Sequence, residues 1–406
     1  MKIRLVLAVF MSTSLLQGYS VLTHEAIIDS VWDTSIKKLL LKRFPNSTAE
    51  ELLQAHAYTY GGCIIQDMGY YPFGSHLFSD LTHYVRSGDF IEELLRESQN
   101  LNEYAFALGA LEHYAADTEG HRIATNRAVP ILYPELRRKF GNTVSYWDNP
   151  VAHVQTEFGF DVIQVALGRY APDGYRKFIG FEVSRPVLER AFLKTYGLEI
   201  KDVFGNVSLA LGSYRRTVSS IIPSMTRVAW NLKKDQLRKE IPGITRKKFL
   251  YNISRASYEK EWGKEYAKPR PGTSLLTFLF RILPKFGPFK SLKVPTPTPE
   301  VEQLFMASFN ATLDGYRAML SKTETGKLQL ANQNFDTGGP SVAGHYKGTD
   351  EAYAKLLSKL ADKQFTTLPL ELRQNILDFY KDQSPSKSPK LQDQLQQLKT
   401  VSINPK

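Results

Sequence analysis

The 406-residue chain is long enough for one large domain or two of ordinary size, and its 42% hydrophobic residues can supply a buried core. The single cysteine, Cys63, excludes an intramolecular disulfide and a zinc site built from several thiolates. Any metal site must therefore use His, Asp and Glu. The formal net charge of +11 favours contact with polyanions such as anionic lipid surfaces or nucleic acid.

Residues 1–18 have the pattern of an export signal. Two basic residues precede an apolar core over 5–16, which is too short to span a bilayer, and Gly18 supplies a small residue before a cut. We expect cleavage between Gly18 and Tyr19. The mature protein is therefore expected in the periplasm or outside the cell.

Apolar residues recur at helical spacing through much of the chain, whereas the alternating runs typical of strands are scarce. The segments with this spacing are 22–31, 34–43, 48–58, 101–117, 150–168 and 206–232. Breakers are expected between them at Gly61-Gly62, Tyr71-Pro72, Ala171-Pro172 and Pro223. The pattern predicts an all-α fold, a helical bundle whose sites are built from side chains on facing helices. No His-Glu-x-x-His motif is present, which excludes the commonest type of zinc protease.

Seven of the eight histidines lie between His24 and His153, and most have a carboxylate at ligand-like spacing. His113, Asp117 and His121 recur at intervals of four, which brings them to nearly the same side of a helix. Taken alone, this row is equally compatible with hydrogen-bonded neighbours. If it binds a metal, the mixture of imidazole and carboxylate favours zinc, because calcium and magnesium prefer mostly oxygen ligands. The candidate ligands in chain order are His24, Asp67, His83, His113, Asp117, His121, His153 and Glu157.

The types and order of these ligands resemble the bacterial zinc-dependent phospholipases C, which are related in fold to the fungal single-strand-specific zinc nucleases. The resemblance runs from about residue 19 to about residue 230. It implies an all-helical scaffold that holds up to three zinc ions. It also implies that the mature amino terminus binds zinc through its free amine and carbonyl. Known members of this family begin with Trp, whereas Tyr19 stands at the matching position here.

Carried over residue by residue, the resemblance implies three ligand sets, with Asp117 as the bridge between the first two. The sets are Tyr19, His24 and Asp117; Asp67, His83, His113 and Asp117; and His121, His153 and Glu157. In the family the gap between the bridging Asp and the next His is longer than the four residues found here. Asp67 is the implied general base, because one oxygen can ligate zinc while the other accepts a proton from water.

The implied chemistry is phosphodiester hydrolysis by zinc-activated water. A phospholipase C that releases diacylglycerol and a phosphorylated headgroup from phospholipid is the favoured function. A secreted single-strand-type zinc nuclease, with nucleic acid as its substrate, is the alternative, and a non-catalytic zinc-stabilised binding protein is the third. Tyr70 and Tyr71, in a predicted loop beside Asp67, are candidates for substrate contact. No obligate protein partner is inferred.

Composition divides the chain after the signal into a catalytic domain over 19–232 and three further segments. The segment 233–293 carries sixteen basic and five acidic residues. Its apolar run 274–286 is compatible with a buried helix, which we favour, and with a helix that lies in a membrane interface. A Pro-rich linker then leads into a helical extension over 294–380, in which no chemistry is expected, and 381–406 is predicted to be a disordered tail.

Overall fold

The computed structural model of the protein describes residues 21–166, 181–217, 298–382 and 388–401, without the side chains of 162–166 and 216. Within these ranges the chain is helical and contains no strand, only one isolated β-bridge between Gln333 and Pro340. The predicted all-α fold is therefore confirmed. Several predictions fall outside the described residues: the signal peptide, Tyr19, the breakers at 171–172 and 223, the segment 233–293 and its apolar run 274–286.

The helices are numbered here in chain order. The amino-terminal part contains α1 (Val21–Val31), α2 (Lys37–Arg43), α3 (Ala49–Gly62), α4 (His76–Tyr84), α5 (Ser87–Glu97), α6 (Leu101–Glu119), α7 (Asn126–Leu132), α8 (Pro134–Phe140), α9 (Pro150–Ala166), α10 (Arg185–Tyr196), α11 (Ile200–Val203) and α12 (Val207–Arg216). Two π-helical turns, Trp32–Ile36 and Gly120–Thr125, and one 3-10 segment, Ile65–Tyr70, connect some of them. The carboxy-terminal part contains α13 (Pro299–Glu324), α14 (Lys347–Asp362), α15 (Leu370–Tyr380) and α16 (Pro389–Thr400).

Helix α6 lies at the centre of the fold, and every residue from Glu103 to Thr118 is buried. Its contact with α3 brings the two backbones together: a Cβ atom on Gly62 would lie 2.0 Å from the carbonyl oxygen of Phe106. A Cβ atom on Gly109 would lie 2.1 Å from the carbonyl oxygen of Thr59. Helix α3 continues through Gly61-Gly62, which were predicted as breakers, and ends directly after them. These glycines form its last turn, where the missing side chain permits close helix packing.

The carboxy-terminal extension shares one hydrophobic core with the amino-terminal helices. Helix α13 packs along α6, and the Tyr316 hydroxyl donates a hydrogen bond to the Leu108 carbonyl oxygen at 2.8 Å. The end of the predicted helical extension consists of α14 and α15, with turns between them. The extension is thus part of the same folded body as the described part of the predicted catalytic domain.

The predicted disordered tail differs from the structure in its described part, because residues 389–400 form helix α16. Leu391, Leu395 and Leu398 recur at helical spacing, and all three pack against the hydrophobic core, where Leu398 is fully buried. The Arg373 guanidinium donates hydrogen bonds to the carbonyl oxygens of Leu398 and Lys399, at 3.1 Å and 2.7 Å. The apolar stripe and the hydrogen bonds from Arg373 to the last turn stabilise α16. Disorder was predicted because the sequence around it is rich in Ser, Pro and Gln.

Replacing Gly62 by Ala tests the close contact of α3 with α6. We expect the free energy of unfolding to fall by about 3 kcal/mol or more, because the added methyl group meets backbone that cannot rotate away. The matched control is Gly315→Ala within α13, where a Cβ atom has open space. It should stabilise the protein by about 0.5–1 kcal/mol. Urea unfolding measures both, and equal stability of the Gly62 variant and the wild type would contradict the packing argument.

Candidate metal centre

Seven of the candidate ligands lie in two neighbouring buried groups. Within each group the potential ligand atoms are all within 4.8 Å of one another. The first group is Asp67, His83, His113 and Asp117, and the second is His121, His153 and Glu157. Both groups adjoin the carboxy-terminal end of α6, which contributes His113 and Asp117 and leads directly into the π-helical turn that carries His121.

Asp117 is the centre of the first group. Its Oδ2 atom lies 3.2 Å from Nε2 of His113 and 3.5 Å from Nε2 of His83. Its Oδ1 atom lies 3.4 Å from Nε2 of His24, which α1 contributes. The Oδ1 atom of Asp67 lies 3.3 Å from Nε2 of His83. The two oxygens of Asp117 therefore face different histidines, which is the arrangement that a bridging carboxylate requires.

The second group is built from α9 and the π-helical turn Gly120–Thr125. Oε1 of Glu157 lies 2.9 Å from Nδ1 of His153, one helical turn before it, and 3.3 Å from Nε2 of His121. A continuous α-helix would have kept His121 in register with His113 and Asp117. The π-helical turn after Glu119 changes that register, and His121 faces the residues of α9 instead. The row seen in the sequence is thus divided between the two groups.

Four of the five histidines that face these carboxylates have their second ring nitrogen within hydrogen-bond distance of a protein acceptor. The contacts are His24 Nδ1 to Glu112 Oε2 at 3.0 Å, His83 Nδ1 to the Ser79 carbonyl oxygen at 2.8 Å, His113 Nδ1 to the Cys63 carbonyl oxygen at 2.9 Å, and His153 Nε2 to Asn126 Oδ1 at 2.7 Å. Metal-ligating histidines are typically oriented in this way, because the outer acceptor fixes both the tautomer and the ring.

Electrostatic interactions inside the centre shift several pKa values. Burial alone would raise the pKa of Asp117, but the histidines around it, His113 first, outweigh burial and hold that pKa well below its usual value. Burial raises the pKa of Asp67, and the opposing effects of His113 and His83 do not cancel this increase. Burial would lower the pKa of His83, but Asp117 and Asp67 raise it to about 10. The charged form of Asp117 and that of His83 are therefore both favoured by the groups around them.

The donor atoms fit a bound cation. Several buried polar atoms of the centre form no hydrogen bond with the described residues. They are both oxygens of Asp117, both ring nitrogens of His121 and Oδ1 of Asp67. Buried polar atoms without partners are costly and uncommon in folded proteins. A metal ion would satisfy them, and sets of imidazole nitrogen and carboxylate oxygen are suited to zinc.

The two tyrosines expected to contact substrate have different environments. The Tyr70 ring lies 6.0 Å from the His83 ring of the first group and 6.4 Å from the Tyr146 ring. The Tyr146 ring in turn lies 6.0 Å from the His153 ring of the second group. Tyr71 packs edge-on against Tyr214 at 5.0 Å, within the hydrophobic core.

Sequence reasoning missed three polar residues of this centre: Glu112, Asn126 and Asp336. The first two contact His24 and His153 through the hydrogen bonds given above. Oδ1 of Asp336 lies 3.4 Å from Nδ1 of His121. The carboxy-terminal extension, in which no chemistry was expected, thus brings a carboxylate to a candidate metal ligand. No spacing rule could have found Asp336, because it belongs to a polar, Gly-rich stretch more than two hundred residues after His121.

A family model described as zinc dependent phospholipase C matches residues 23–206, a range that contains both groups and His24. No curated protein and no solved structure matches the chain. Within the described residues, every helix is too short or too polar to cross a bilayer.

Replacing Asp117 by Asn tests the centre as a whole. We expect this change to remove more zinc than any other single substitution. It takes one negative charge from the carboxylate that faces His24 with one oxygen and His83 and His113 with the other. The amount of zinc bound per chain after dialysis is measured by elemental mass spectrometry. Asp314→Asn, at an 81% exposed side chain, is the control. A near-normal zinc content in the Asp117 variant would contradict the bridging arrangement.

Proposed function

We propose that this chain, which belongs to the zinc-dependent phospholipase C family over residues 23–206, is an exported enzyme that hydrolyses phospholipid to diacylglycerol and a phosphorylated headgroup. The family is one of zinc-dependent phosphodiester hydrolases. The proposal rests on two adjacent buried groups at the end of α6. In the first of them, one oxygen of Asp117 faces His24 and the other faces His113. Such an arrangement of several cations suits phosphodiester hydrolysis, because negative charge develops on more than one oxygen during the reaction.

The proposed ligands divide among three zinc ions. The first would be held by Tyr19, His24 and Asp117, the second by Asp67, His83, His113 and Asp117, and the third by His121, His153 and Glu157. Bound zinc would supply a Lewis acid that polarises the phosphate and lowers the pKa of a bound water from about 15.7 to near 7.

The start of α1 supports the ligand role proposed for the mature amino terminus. The Asp161 carboxylate accepts hydrogen bonds from the backbone N–H groups of Leu22 and Thr23, at 2.9 Å and 3.1 Å, and from the Thr23 hydroxyl at 2.7 Å. This buried contact fixes the backbone of α1 against α9 immediately before His24. The chain that precedes Leu22 therefore starts from a fixed point near the proposed zinc ions.

Asp67 is the proposed general base. It is buried beside His83, where one of its oxygens can ligate zinc while the other accepts the proton of a bound water. In the proposed reaction a water oxygen bonds to phosphorus as one water proton passes to Asp67, and the bond between phosphorus and the glycerol oxygen breaks. The glycerol oxygen takes a proton from solvent water to give diacylglycerol, and Asp67 returns its proton to solvent. Of the two tyrosines proposed to contact substrate, Tyr70 is better placed to orient the phosphate end, because its ring lies beside His83 of the first group and beside Tyr146.

Incubation of the zinc-loaded mature protein with phosphatidylcholine vesicles, and separately with single-stranded DNA, tests the substrate class. We expect diacylglycerol release from the vesicles. At saturating zinc, Asp67→Asn should lower kcat by about 10²–10⁴-fold, because the amide cannot accept the water proton. Release of oligonucleotides with no diacylglycerol would instead support the nuclease alternative, and activity on neither substrate would contradict the proposal.

Intact-mass analysis of the exported protein tests the proposed amino terminus. We expect the chain to begin at Tyr19, which would leave a free amine for zinc. A protein produced with residues 1–18 still attached should bind less zinc than the mature form, because that amine is then part of a peptide bond. A mature terminus at another residue would remove Tyr19 from the proposed ligand set.

A further inference from the structure

The loop between α13 and α14 lies outside the matched range 23–206, yet it packs directly against the metal centre. The backbone N–H of Phe335 donates a hydrogen bond to the His83 carbonyl oxygen at 3.2 Å. The Ser341 hydroxyl donates one to the Tyr84 carbonyl oxygen at 2.8 Å, and the Tyr114 hydroxyl donates one to the Ala331 carbonyl oxygen at 2.9 Å. These contacts attach the loop to α4 and α6, the helices that carry His83, His113 and Asp117.

Two consecutive residues of this loop contact the histidines. The Phe335 ring is fully buried and lies 5.1 Å from the His83 ring and 6.0 Å from the His113 ring. Oδ1 of Asp336 lies 3.4 Å from Nδ1 of His121. Phe335 thus covers an apolar side of the first group, while Asp336 brings a carboxylate to the second.

Asp336 is held in place from several directions. Its Oδ2 atom accepts hydrogen bonds from the Tyr84 hydroxyl, at 3.0 Å, and from the Tyr346 hydroxyl. Its backbone carbonyl oxygen accepts one from the side-chain amide of Asn126 at 2.5 Å. Oδ1 of the same Asn126 lies 2.7 Å from Nε2 of His153. Asp336 therefore contacts His121 directly and is linked to His153 through the side chain of Asn126.

The two ring nitrogens of His121 face different carboxylates. Nε2 faces Glu157 at 3.3 Å, inside the second group, whereas Nδ1 faces Asp336 at 3.4 Å. The two nitrogens of an imidazole point in divergent directions, so an ion bound at Nε2 lies away from the side on which Asp336 sits. Asp336 is thus placed to accept the Nδ1 hydrogen while Nε2 binds a metal, which is the carboxylate–histidine–metal arrangement of many zinc sites.

The charge of Asp336 supports the same assignment. The carboxylate is 1% exposed, and His121 is its sole ion-pair partner among the described residues. A buried carboxylate is costly unless positive charge or strong donors compensate for it. Two tyrosine hydroxyls supply part of that compensation, and an imidazole polarised by a cation on its other nitrogen would supply the rest.

We propose that Asp336 is a positioning residue of the metal centre and that it makes the carboxy-terminal extension an obligatory part of the catalytic unit. Its carboxylate fixes the tautomer of His121 and directs Nε2 toward His153 and Glu157. The inference rests on the ligand role proposed for His121, but its test measures metal binding and does not require lipid hydrolysis.

Zinc binding by the full-length mature chain tests the proposal, with Asp336→Asn as the main variant. Zinc affinity is measured by competition with a chromogenic chelator. We expect one of the bound ions to lose about 10–100-fold in affinity while the others are unchanged, and saturating zinc should still fill every site. The rise in Tm produced by added zinc should shrink accordingly, whereas the Tm of the chelator-treated protein should stay close to that of the wild type.

Two further variants make the result specific. Tyr346→Phe removes one hydroxyl that holds Oδ2 of Asp336 and should weaken the same ion by a smaller factor. Asp314→Asn changes an exposed carboxylate of the same extension and should leave zinc binding unaltered. If the Asp336 variant fails to fold, the Tyr346 variant still carries the test, because unaltered zinc affinity in it would overturn the proposal.

Other outcomes are equally informative. Wild-type affinity for every ion in Asp336→Asn overturns the positioning role. Complete loss of one ion at saturating zinc shows that Asp336 is itself a ligand, which also overturns it. A wild-type chain that binds zinc but releases no diacylglycerol overturns the proposed function and leaves this inference standing. A wild-type chain that binds no zinc overturns both.

Discussion

The burial of the Asp117 carboxylate is the constraint on which the rest of the structure depends. A buried carboxylate near the end of an apolar helix is costly unless positive charge or hydrogen-bond donors compensate for it, because the cost of removing it from water is large. His24, His83 and His113 face this carboxylate from three different helices, and a cation held among them would compensate its charge. The helices must therefore meet at one point, and the core of the amino-terminal part is arranged around that point.

The geometry of the centre is set by backbone as much as by side chains. The outer partners of His83 and His113 are carbonyl oxygens, of Ser79 one turn earlier in α4 and of Cys63 at the end of α3. The Cys63 carbonyl reaches His113 because Gly62 and Gly109 let α3 approach α6 so closely. Close packing of two helices and orientation of a histidine are thus consequences of the same contact. A disturbance of the helix interface should consequently alter the metal centre even if no ligand is changed.

The sequence predicts the parts of this arrangement that local spacing controls. His113 with Asp117, and His153 with Glu157, are pairs four residues apart, and helical periodicity alone brings each pair to one side. The position of His121 was beyond such reasoning, because a π-helical turn that depends on tertiary packing changes its register. Short, amphipathic helices such as α4 and α5 have too little apolar repetition to stand out. Helix α16 was hidden by a composition that is typical of disorder, since three leucines alone mark its buried side.

Glu112 and Asp336, the two charged residues that the sequence did not predict, have a common physical role, which appears when the charges of the centre are counted. Three zinc ions would bring six positive charges, and the three carboxylates among the proposed ligands, Asp67, Asp117 and Glu157, bring three negative ones. Glu112 and Asp336 contact the outer nitrogens of His24 and His121 and would bring the total to five. A buried centre that retains a single positive charge can bind a phosphodiester, which carries one negative charge, with little net charge left in the core. Without those two carboxylates the same centre would hold an excess of three, which an apolar interior strongly disfavours. The extension that supplies Asp336 therefore contributes to the charge balance of the centre as well as to the orientation of His121.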